Sequence, residues 1–235
     1  MAWSRVQSAG GFNYGTTVAV AFTTANVTSG NKIIAAVASS WTDAPSSVAD
    51  GSSNAWTLLG SQVRSGGGAC WLYGRDVPSG DAGTKPTLTA TFPSGNGQSM
   101  VIQEISGLAT GNTTAMLDGS PAGLSGTATS TGSPSYSSTA SGEYLVCIYG
   151  DADGGVTLTP ASGWTGDAAN QYGDDSDASI EYKSSTGGAE TSGWTGATAN
   201  GWSVLTVAFK LAGGAAFTPP PPLIVPQAVQ RASYW

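Results

Sequence analysis

The fold class is decided by two short apolar stretches, Gly30-Asn-Lys-Ile-Ile-Ala-Ala-Val37 and Gly142-Glu-Tyr-Leu-Val-Cys-Ile-Tyr149. Each begins at a glycine and continues through β-branched, aromatic and small apolar residues. Up to Lys210, similar runs alternate with clusters of Gly, Ser, Asn, Asp and Pro, and helical periodicity is nearly absent. This pattern is typical of strands and turns. It predicts an all-β protein with a jelly-roll-like β-sandwich.

The predicted strands fall into two series. The first series covers residues 3–8, 16–22, 32–39, 55–64, 69–76, 86–92 and 99–106. The second covers residues 126–130, 143–149, 156–159, 166–172, 178–183 and 202–210. Glycine- and proline-rich turns such as Ser65-Gly-Gly-Gly and Pro93-Ser-Gly-Asn-Gly separate these segments.

The two series resemble each other at separations of 103 to 112 residues. Besides the two stretches quoted above, the matched segments are Ala55-Trp-Thr57 with Gly163-Trp-Thr165, Ala69-Cys-Trp-Leu-Tyr73 with Ser179-Ile-Glu-Tyr182, and Ser99-Met-Val-Ile with Trp202-Ser-Val-Leu. We therefore predict a body at residues 1–211, built from similar halves at about 1–108 and 109–211. The halves either form two small sandwiches or interleave into one jelly roll.

The composition favours a structural or adhesive protein over a metabolic enzyme. Only 10% of residues are charged, against about 25% in typical globular domains. The surface must therefore be built from Ser, Thr, Gly, Asn and Ala, as in matrix proteins, adhesins and virus particles. The net charge is −7 and no Lys/Arg cluster is present, so we expect no direct contact with nucleic acid.

The chain contains no histidine. Histidine is the commonest general base and metal ligand, so its absence excludes Ser-His-Asp triads, Cys-His pairs and zinc-hydrolase sites. The remaining catalytic candidates are Glu104 and Glu181, but glycoside hydrolysis needs two carboxyls facing one sugar. Because the two lie on matched strands of different halves, nothing in the sequence brings them into one cleft. We predict that both face outward or pair with a cation (Lys32, Arg75 or Lys183), and that the protein is not an enzyme and has no cofactor.

Cysteine and aspartate suggest two further, weaker sites. Cys70 and Cys147 lie in apolar runs, which favours two buried free thiols, although one disulfide stays open. The acidic region that begins at Asp151 and Asp153 and continues through Asp167 to residues 174–177 is a weak calcium candidate. The distal glutamate of an EF-hand is missing, and solvated loop tips are the alternative.

Tryptophan could supply a sugar-stacking surface, since its ring combines a large apolar face with a polar edge. Trp41 and Trp194 flank loops and are the predicted glycan contacts. The others considered lie in strand patterns and are predicted to be core: Trp56, Trp71, Trp164 and Trp202.

Residues 212–235 form a predicted C-terminal arm. Four consecutive prolines begin at Pro219 and another follows at Pro226, so the segment suits an extended polyproline II conformation. An extended apolar arm needs a surface to lie on, either its own body or a neighbouring subunit. The predicted partner-binding residues are Phe217, Pro219, Pro220, Leu223, Ile224, Val225, Val229, Arg231, Tyr234 and Trp235.

The first residues, Met1-Ala-Trp-Ser-Arg-Val, lack the apolar region of a signal peptide, and no run approaches the ~20 apolar residues of a membrane span. We therefore expect synthesis in a cytoplasm, incorporation by assembly and not by secretion, and no membrane association.

Several segments resemble a β-sandwich module of tailed-bacteriophage virion proteins and some bacterial surface proteins: Trp3-Ser-Arg-Val-Gln-Ser, Asn31-Lys-Ile-Ile-Ala-Ala-Val, Gly51-Ser-Ser-Asn-Ala-Trp-Thr-Leu and Glu104-Ile-Ser-Gly-Leu. The closing Gln230-Arg-Ala-Ser-Tyr-Trp235 resembles the ends of minor capsid or tail proteins of phages that infect actinobacteria. The resemblance implies a virion component on the outer surface of the particle, with the major capsid protein or other virion subunits as partners and homo-oligomeric copies on a lattice. A tail or surface adhesin that binds a host glycan or receptor is the alternative.

Overall fold

The computed structural model describes residues 2–51, 55–111, 114–167 and 176–213. The chain begins with strands β1 (Ser4–Ala21), β2 (Lys32–Ser39), β3 (Ser47–Ala49), β4 (Thr57–Val63), β5 (Ala69–Asp76) and β6 (Thr87–Ser106). A 3-10 turn at Thr114–Met116 follows. The remaining strands are β7 (Ala122–Gly126), β8 (Tyr136–Ser137), β9 (Ser141–Asp151), β10 (Thr159–Pro160), β11 (Thr165–Gly166), β12 (Ala178–Thr186), β13 (Ala189–Glu190), β14 (Trp194–Thr195) and β15 (Trp202–Phe209).

Two antiparallel sheets pack face to face, which confirms the predicted all-β sandwich. The first has the order β1-β6-β2-β5-β4, with β3 paired to β6, and the second has the order β11-β12-β9-β15-β7. The jelly-roll part of the prediction is not confirmed. In a jelly roll consecutive strands alternate between the sheets, whereas here each half of the chain forms one sheet.

The strand order is the same in both sheets. Read from the edge, β1-β6-β2-β5-β4 in the first sheet corresponds to β7-β15-β9-β12-β11 in the second, and the corresponding strands also follow each other in the same order along the chain. All four segment pairs matched in the sequence fall on or next to corresponding strands. The two sheets are thus built on one plan.

A cation–aromatic pair recurs at corresponding positions. The Arg75 guanidinium lies 5.5 Å from the ring centroid of Trp56, and the Lys183 ammonium lies 5.0 Å from that of Trp164. Both members of the pair recur after the same 108 residues. Each tryptophan packs on the outer face of its own sheet, so the likeness extends from strand order to side-chain contacts.

The sequence match between β5 and β12 is one residue out. Tyr73 was matched with Tyr182, but Tyr73 packs on the outer face of the first sheet and Tyr182 packs between the sheets. The strand partners instead make Leu72 equivalent to Ile180, since they pair with corresponding positions of β2 and β9. Because side chains alternate between the two faces of a strand, a slip of one residue exchanges inside and outside.

The main core lies between the two sheets, and β2 packs against β9 at its centre. Ile34 and Ala36 of β2 share this core with Val146 and Ile148 of β9. Every residue of β2 is buried, and so is every residue of β9 from Glu143 onward. The apolar runs quoted first therefore lie in central strands that are covered on both faces.

Two long strands cover the outer face of the first sheet. β1 and β6 each continue past the sheet, and their distal parts pair between residues 17–21 and 87–91. Val18, Val20 and Leu88 from this extension pack with Trp71 and Met100 of the sheet. The predicted separate strands at 3–8 and 16–22, and at 86–92 and 99–106, are thus corrected to two continuous strands. Each bends, with register shifts between Arg5 and Gln7 and between Gly15 and Thr17.

Loops and two-residue ladders cover the outer face of the second sheet. The ladders are β10 with β14 and β8 with β13. Tyr136, Leu158 and Trp194 from this layer pack with Leu145 and Tyr149 of β9. The predicted strand at 126–130 is displaced, because the corresponding strand is β7; the predicted strand at 166–172 extends outside the described residues.

A buried polar group joins the sheets beside the core. Gln103 of β6 donates to Asp167 at 2.6 Å and accepts a hydrogen bond from the Tyr144 hydroxyl. Arg5 pairs with Asp167 at 3.1 Å and donates to the Tyr182 hydroxyl at 2.8 Å. These partners satisfy polar side chains that burial would otherwise destabilise.

The contact between the sheets makes a direct prediction for stability. Ile148→Ala removes a fully buried side chain from the inter-sheet core and should lower the free energy of unfolding by about 2–5 kcal/mol. Val63→Ala, at an edge-strand position that is 40% exposed, should change it by less than about 1 kcal/mol. Urea denaturation of both variants checks this, and equal losses would contradict the assigned core.

Candidate functional site

Four loops meet at one end of the sandwich and enclose a cleft. They follow β2, join β4 to β5, follow β9 and precede β15, so each sheet contributes two of them. The cleft has a volume of about 530 Å³, within the range of about 300–1,000 Å³ for small-ligand sites. Its lining residues define what we call the Trp41 cleft: Ser40, Trp41, Thr42, Gly66, Gly67, Ala152, Asp153 and Asn200.

Backbone hydrogen bonds hold these loops together. Gly68 N donates to Ser40 O at 3.1 Å, and Ala152 N donates to Gly201 O at 3.0 Å. The Ser203 hydroxyl of the second sheet donates to Gly68 O of the first sheet at 2.7 Å. The floor of the cleft is therefore fixed by both sheets.

Gly67 is required by its backbone and by its neighbours. Its φ is +115°, and a Cβ placed there would lie 2.7 Å from Ser40 O and 3.2 Å from the Ala152 methyl group. A larger residue would strain the backbone and push the Ser40 loop outward. The absence of a side chain at this position keeps the cleft open.

Trp41 lies on the rim of the cleft with 59% of its surface exposed. The loop begins where β2 ends, and Trp41 N donates to the Ser39 hydroxyl at 3.2 Å. The structure thus leaves accessible one of the two tryptophans predicted to contact a glycan.

Asp153 lies across the same cleft and is held by two hydrogen bonds. Thr198 Oγ1 and Asn200 Nδ2 both donate to its Oδ2, at 3.1 and 2.7 Å. Within the described residues, Oδ1 has no hydrogen-bond partner. The structure therefore combines an aromatic face, a positioned carboxylate and an amide in one concave site. Sequence reasoning found Trp41 and Asp153 separately but missed Asn200, which lies 47 residues after Asp153 and carries no local signal.

Asp151 does not join Asp153 in a calcium site. It is fully buried. Its Oδ1 accepts hydrogen bonds from Gly154 N at 3.1 Å and Asp177 N at 2.7 Å, and the Tyr149 hydroxyl donates to its Oδ2 at 3.1 Å. Its oxygens organise the loop after β9, so this weak metal candidate is corrected to a structural residue.

The other acidic residues of that region also have structural partners. Asp167 belongs to the polar group between the sheets, and Asp177 accepts a hydrogen bond from Val156 N at 3.0 Å. Asp174 and Asp175 lie outside the described residues. Among the residues that are described, no group of three or more His, Cys, Asp or Glu is placed to hold a metal ion.

Trp194 was predicted to be a glycan contact, and this is wrong. Only 2% of its surface is exposed. Its ring packs edge-on against Tyr149, with centroids 6.3 Å apart. Trp194 belongs to the layer that covers the second sheet. The glycines beside it in the sequence suggest an exposed loop, but in the fold this loop packs inward. The core assignment is correct for Trp71, Trp164 and Trp202, and Trp56 is half-buried.

Glu104 was predicted to face solvent or to pair with a cation, and within the described residues it does neither. It is fully buried on the outer face of the first sheet. Its carboxylate accepts hydrogen bonds from Gln7 Nε2 at 2.7 Å, Asn31 Nδ2 at 2.7 Å and Thr28 N at 2.8 Å. These donors join β1 and the loop before β2 to β6, so Glu104 is a structural residue.

Glu181 is likewise buried, on the outer face of the second sheet. It accepts hydrogen bonds from Ala161 N at 2.9 Å and Gly193 N at 2.6 Å. Glu104 and Glu181 lie on opposite outer faces with the inter-sheet core between them, so they share no cleft. The cations considered as partners form their salt bridges elsewhere: Lys32 with Asp76, Arg75 with Asp50 and Asp81, and Lys183 with Glu190. The charge of Lys183 nevertheless acts on Glu181, where it opposes the rise in pKa that burial causes.

Both cysteines are free and buried, as predicted. Cys70 faces the inter-sheet core, whereas Cys147 faces the outer layer of the second sheet. Burial raises the pKa of each thiol well above its usual range. Neither group therefore has the thiolate character of a reactive cysteine.

The chain leaves the body at the end opposite the Trp41 cleft. Ala212 N donates to Gly107 O at 2.8 Å, and Leu211 pairs with Leu108. The intervening strands, such as the eight-residue β2, span about 25 Å. From residue 214 onward the C-terminal arm lies outside the described residues, including all ten predicted partner-binding residues: Phe217, Pro219, Pro220, Leu223, Ile224, Val225, Val229, Arg231, Tyr234 and Trp235.

Comparison with known proteins found no matching family model, no matching curated protein and no matching solved structure. In the part of the chain that the structure describes, no helix has the length and apolar character needed to span a bilayer.

Three buried carboxyls make stability depend on pH. Burial raises the pKa of Asp151 to about 6 and that of Glu181 to about 7. Burial and the neighbouring Asp118 carboxyl raise the pKa of Glu143 to about 7. In unfolded chains these groups titrate near 4, so the folded state binds more protons between about pH 4.5 and 7. Stability from these groups is therefore present in mild acid and declines as the pH rises through this interval.

We expect a higher melting temperature at pH 5 than at pH 7.5. Each kcal/mol lost over this interval would lower it by roughly 2–4 °C for a domain of this size. Glu181→Gln, which stays neutral, should reduce this difference. Calorimetry at a series of pH values checks both expectations, and a melting temperature that rises from pH 5 to 7.5 would contradict the assignment.

Proposed function

We propose that the protein is a structural virion protein, most specifically a capsid decoration (cement) protein attached through its C-terminal arm. Its partners are the major capsid protein or other virion subunits, and its copies occupy a lattice on the outer surface of the particle. The proposal starts from the sequence of the arm and the resemblance to phage virion proteins. What the structure adds in support is a body whose two outer faces are covered.

The apolar faces of the two sheets are covered within the body itself. Both outer faces of the sandwich are covered by layers from their own half of the chain. Within the described residues, the large apolar side chains that remain exposed lie on the edge strands β1 and β4 and at the cleft: Val6, Tyr14, Trp41, Leu58 and Val63. They offer no broad apolar surface of the kind that holds a permanent partner.

The sequence of the arm is rich in apolar residues and proline. Leu223, Ile224 and Val225 follow four prolines, and Tyr234 and Trp235 end the segment. Proline restricts the free chain in advance, so less conformational entropy is lost when such a segment binds. Many identical copies on one lattice would add avidity without new contacts. This concentration of apolar residues in the sequence of the arm, following a body whose outer faces are covered, is the observation that carries the proposal.

Truncation tests the proposal directly. A chain that ends at Gly213 keeps the hydrogen bond from Ala212 to Gly107 and the pairing of Leu211 with Leu108. The shortened protein should therefore keep the circular dichroism and melting temperature of the full chain. It should no longer co-sediment with undecorated capsids.

Matched arm variants localise the effect. Leu223→Ser combined with Ile224→Ser should abolish co-sedimentation, because it removes apolar area while keeping the prolines. Gln227→Ser combined with Gln230→Ser is the polar control and should bind as the full chain does. Undiminished capsid binding by the truncated chain would overturn attachment through the arm, and a full chain that does not bind capsids would favour the adhesin.

A further inference from the structure

The indole ring of Trp41 is largely exposed and is not part of the core of the body. Trp71, Trp164, Trp194 and Trp202 are each at least nine-tenths buried, whereas Trp41 is 59% exposed and lines a concave site. An indole left in water forgoes the stabilisation of about 25 cal/mol for each Å² of apolar surface that burial would give. Placed beside a cleft, the ring offers that area to a ligand.

The polar groups around the ring are held in place before any ligand arrives. Thr198 and Asn200 fix the Asp153 carboxylate through Oδ2. Asn200 N in turn donates to Thr198 Oγ1 at 3.1 Å, and Arg64 donates to Asn200 O at 3.4 Å. A ligand therefore meets a preorganised carboxylate and a preorganised amide, and fewer groups must be ordered on binding.

We infer that the Trp41 cleft binds a neutral carbohydrate of mono- or disaccharide size. A sugar ring presents one apolar C–H face and a rim of hydroxyls. The face suits the indole of Trp41, and the hydroxyls suit the acceptor of Asp153 and the mixed donor and acceptor of Asn200. The volume of about 530 Å³ fits a ligand of this size.

Other ligand classes match the cleft less well. Aromatic cages for organic cations use several rings, and among the described residues of the lining Trp41 is the one that is aromatic. Anions would be repelled by the Asp153 carboxylate. Asp43, two residues from Trp41 on the same loop, adds a further negative charge. Nucleic acid is disfavoured by the net charge of −7. The neutral, hydroxyl-rich class remains.

The location of the cleft agrees with a role in recognition. It lies about 25 Å from the end where the chain leaves the body towards the C-terminal arm. A body attached at that end would present the cleft outward. Carbohydrate binding itself does not depend on the proposed capsid attachment, because every lining residue belongs to the body.

The test uses the full-length protein in solution, free of capsids. Isothermal titration is carried out with the neutral disaccharides chitobiose, cellobiose, maltose, lactose and mannobiose, each up to about 10 mM. At least one should bind with a dissociation constant in the millimolar to high-micromolar range. Trp41→Ala should weaken that binding at least about tenfold, and Asp153→Asn about three- to tenfold, because it removes a charged acceptor.

Two controls separate stacking from misfolding. Trp41→Phe keeps an aromatic face and should recover most of the affinity that Trp41→Ala loses. Tyr14→Ala removes another exposed aromatic residue that does not line the cleft and should bind as the unmodified chain does. The inference is overturned if no disaccharide binds, or if binding survives Trp41→Ala unchanged.

Discussion

The structure depends on one constraint: its central strands are apolar on both faces. A strand of an ordinary two-layer sandwich needs cover on one side only, and its sequence alternates. β2 is buried at every position, so it requires a second sheet on one side and a further layer on the other. The long extensions of β1 and β6 supply that outer layer for the first sheet, and the small ladders supply it for the second. The four-layer arrangement follows from the need to remove both faces from water.

The sequence predicted the strands well and their continuity poorly. The central strands were recognisable because uninterrupted apolar runs between glycines have few other uses. The bends in β1 and β6 were mistaken for loops, since Gly15 and the Pro93-Ser-Gly-Asn-Gly segment have the composition of turns. In the fold these residues lie at or beside a register shift, where the paired strands β1 and β6 turn over the sheet. Composition identifies flexible positions, but only tertiary contacts decide whether the chain bends or ends there.

The candidate site, too, was predictable from the sequence only in part. Trp41 could be singled out because an aromatic residue between polar loop residues has no place in a strand pattern. The predictions for Glu104 and Glu181 failed because charged residues on strands normally face solvent. Here both carboxylates are buried and accept hydrogen bonds from backbone and amide donors on other segments. Those donors are distant in sequence. Asn200 and Gly67 could not be predicted from the sequence for a similar reason. They line the cleft only because loops of both sheets meet there.

The shared order of the two sheets has a consequence for how the protein can vary. Ala2 and Trp3 lie against Gly107, and Ala212 is bonded to the same glycine, so both ends of the body lie at one pole of the sandwich. At the opposite pole, the described residues that line the Trp41 cleft belong to connections between strands. Such connections tolerate changes in length at a small entropic cost and lie outside the buried strands that define the fold. Evolution can therefore remodel those connections, loop by loop, while the pole that holds both ends of the body and the central strands stay as they are.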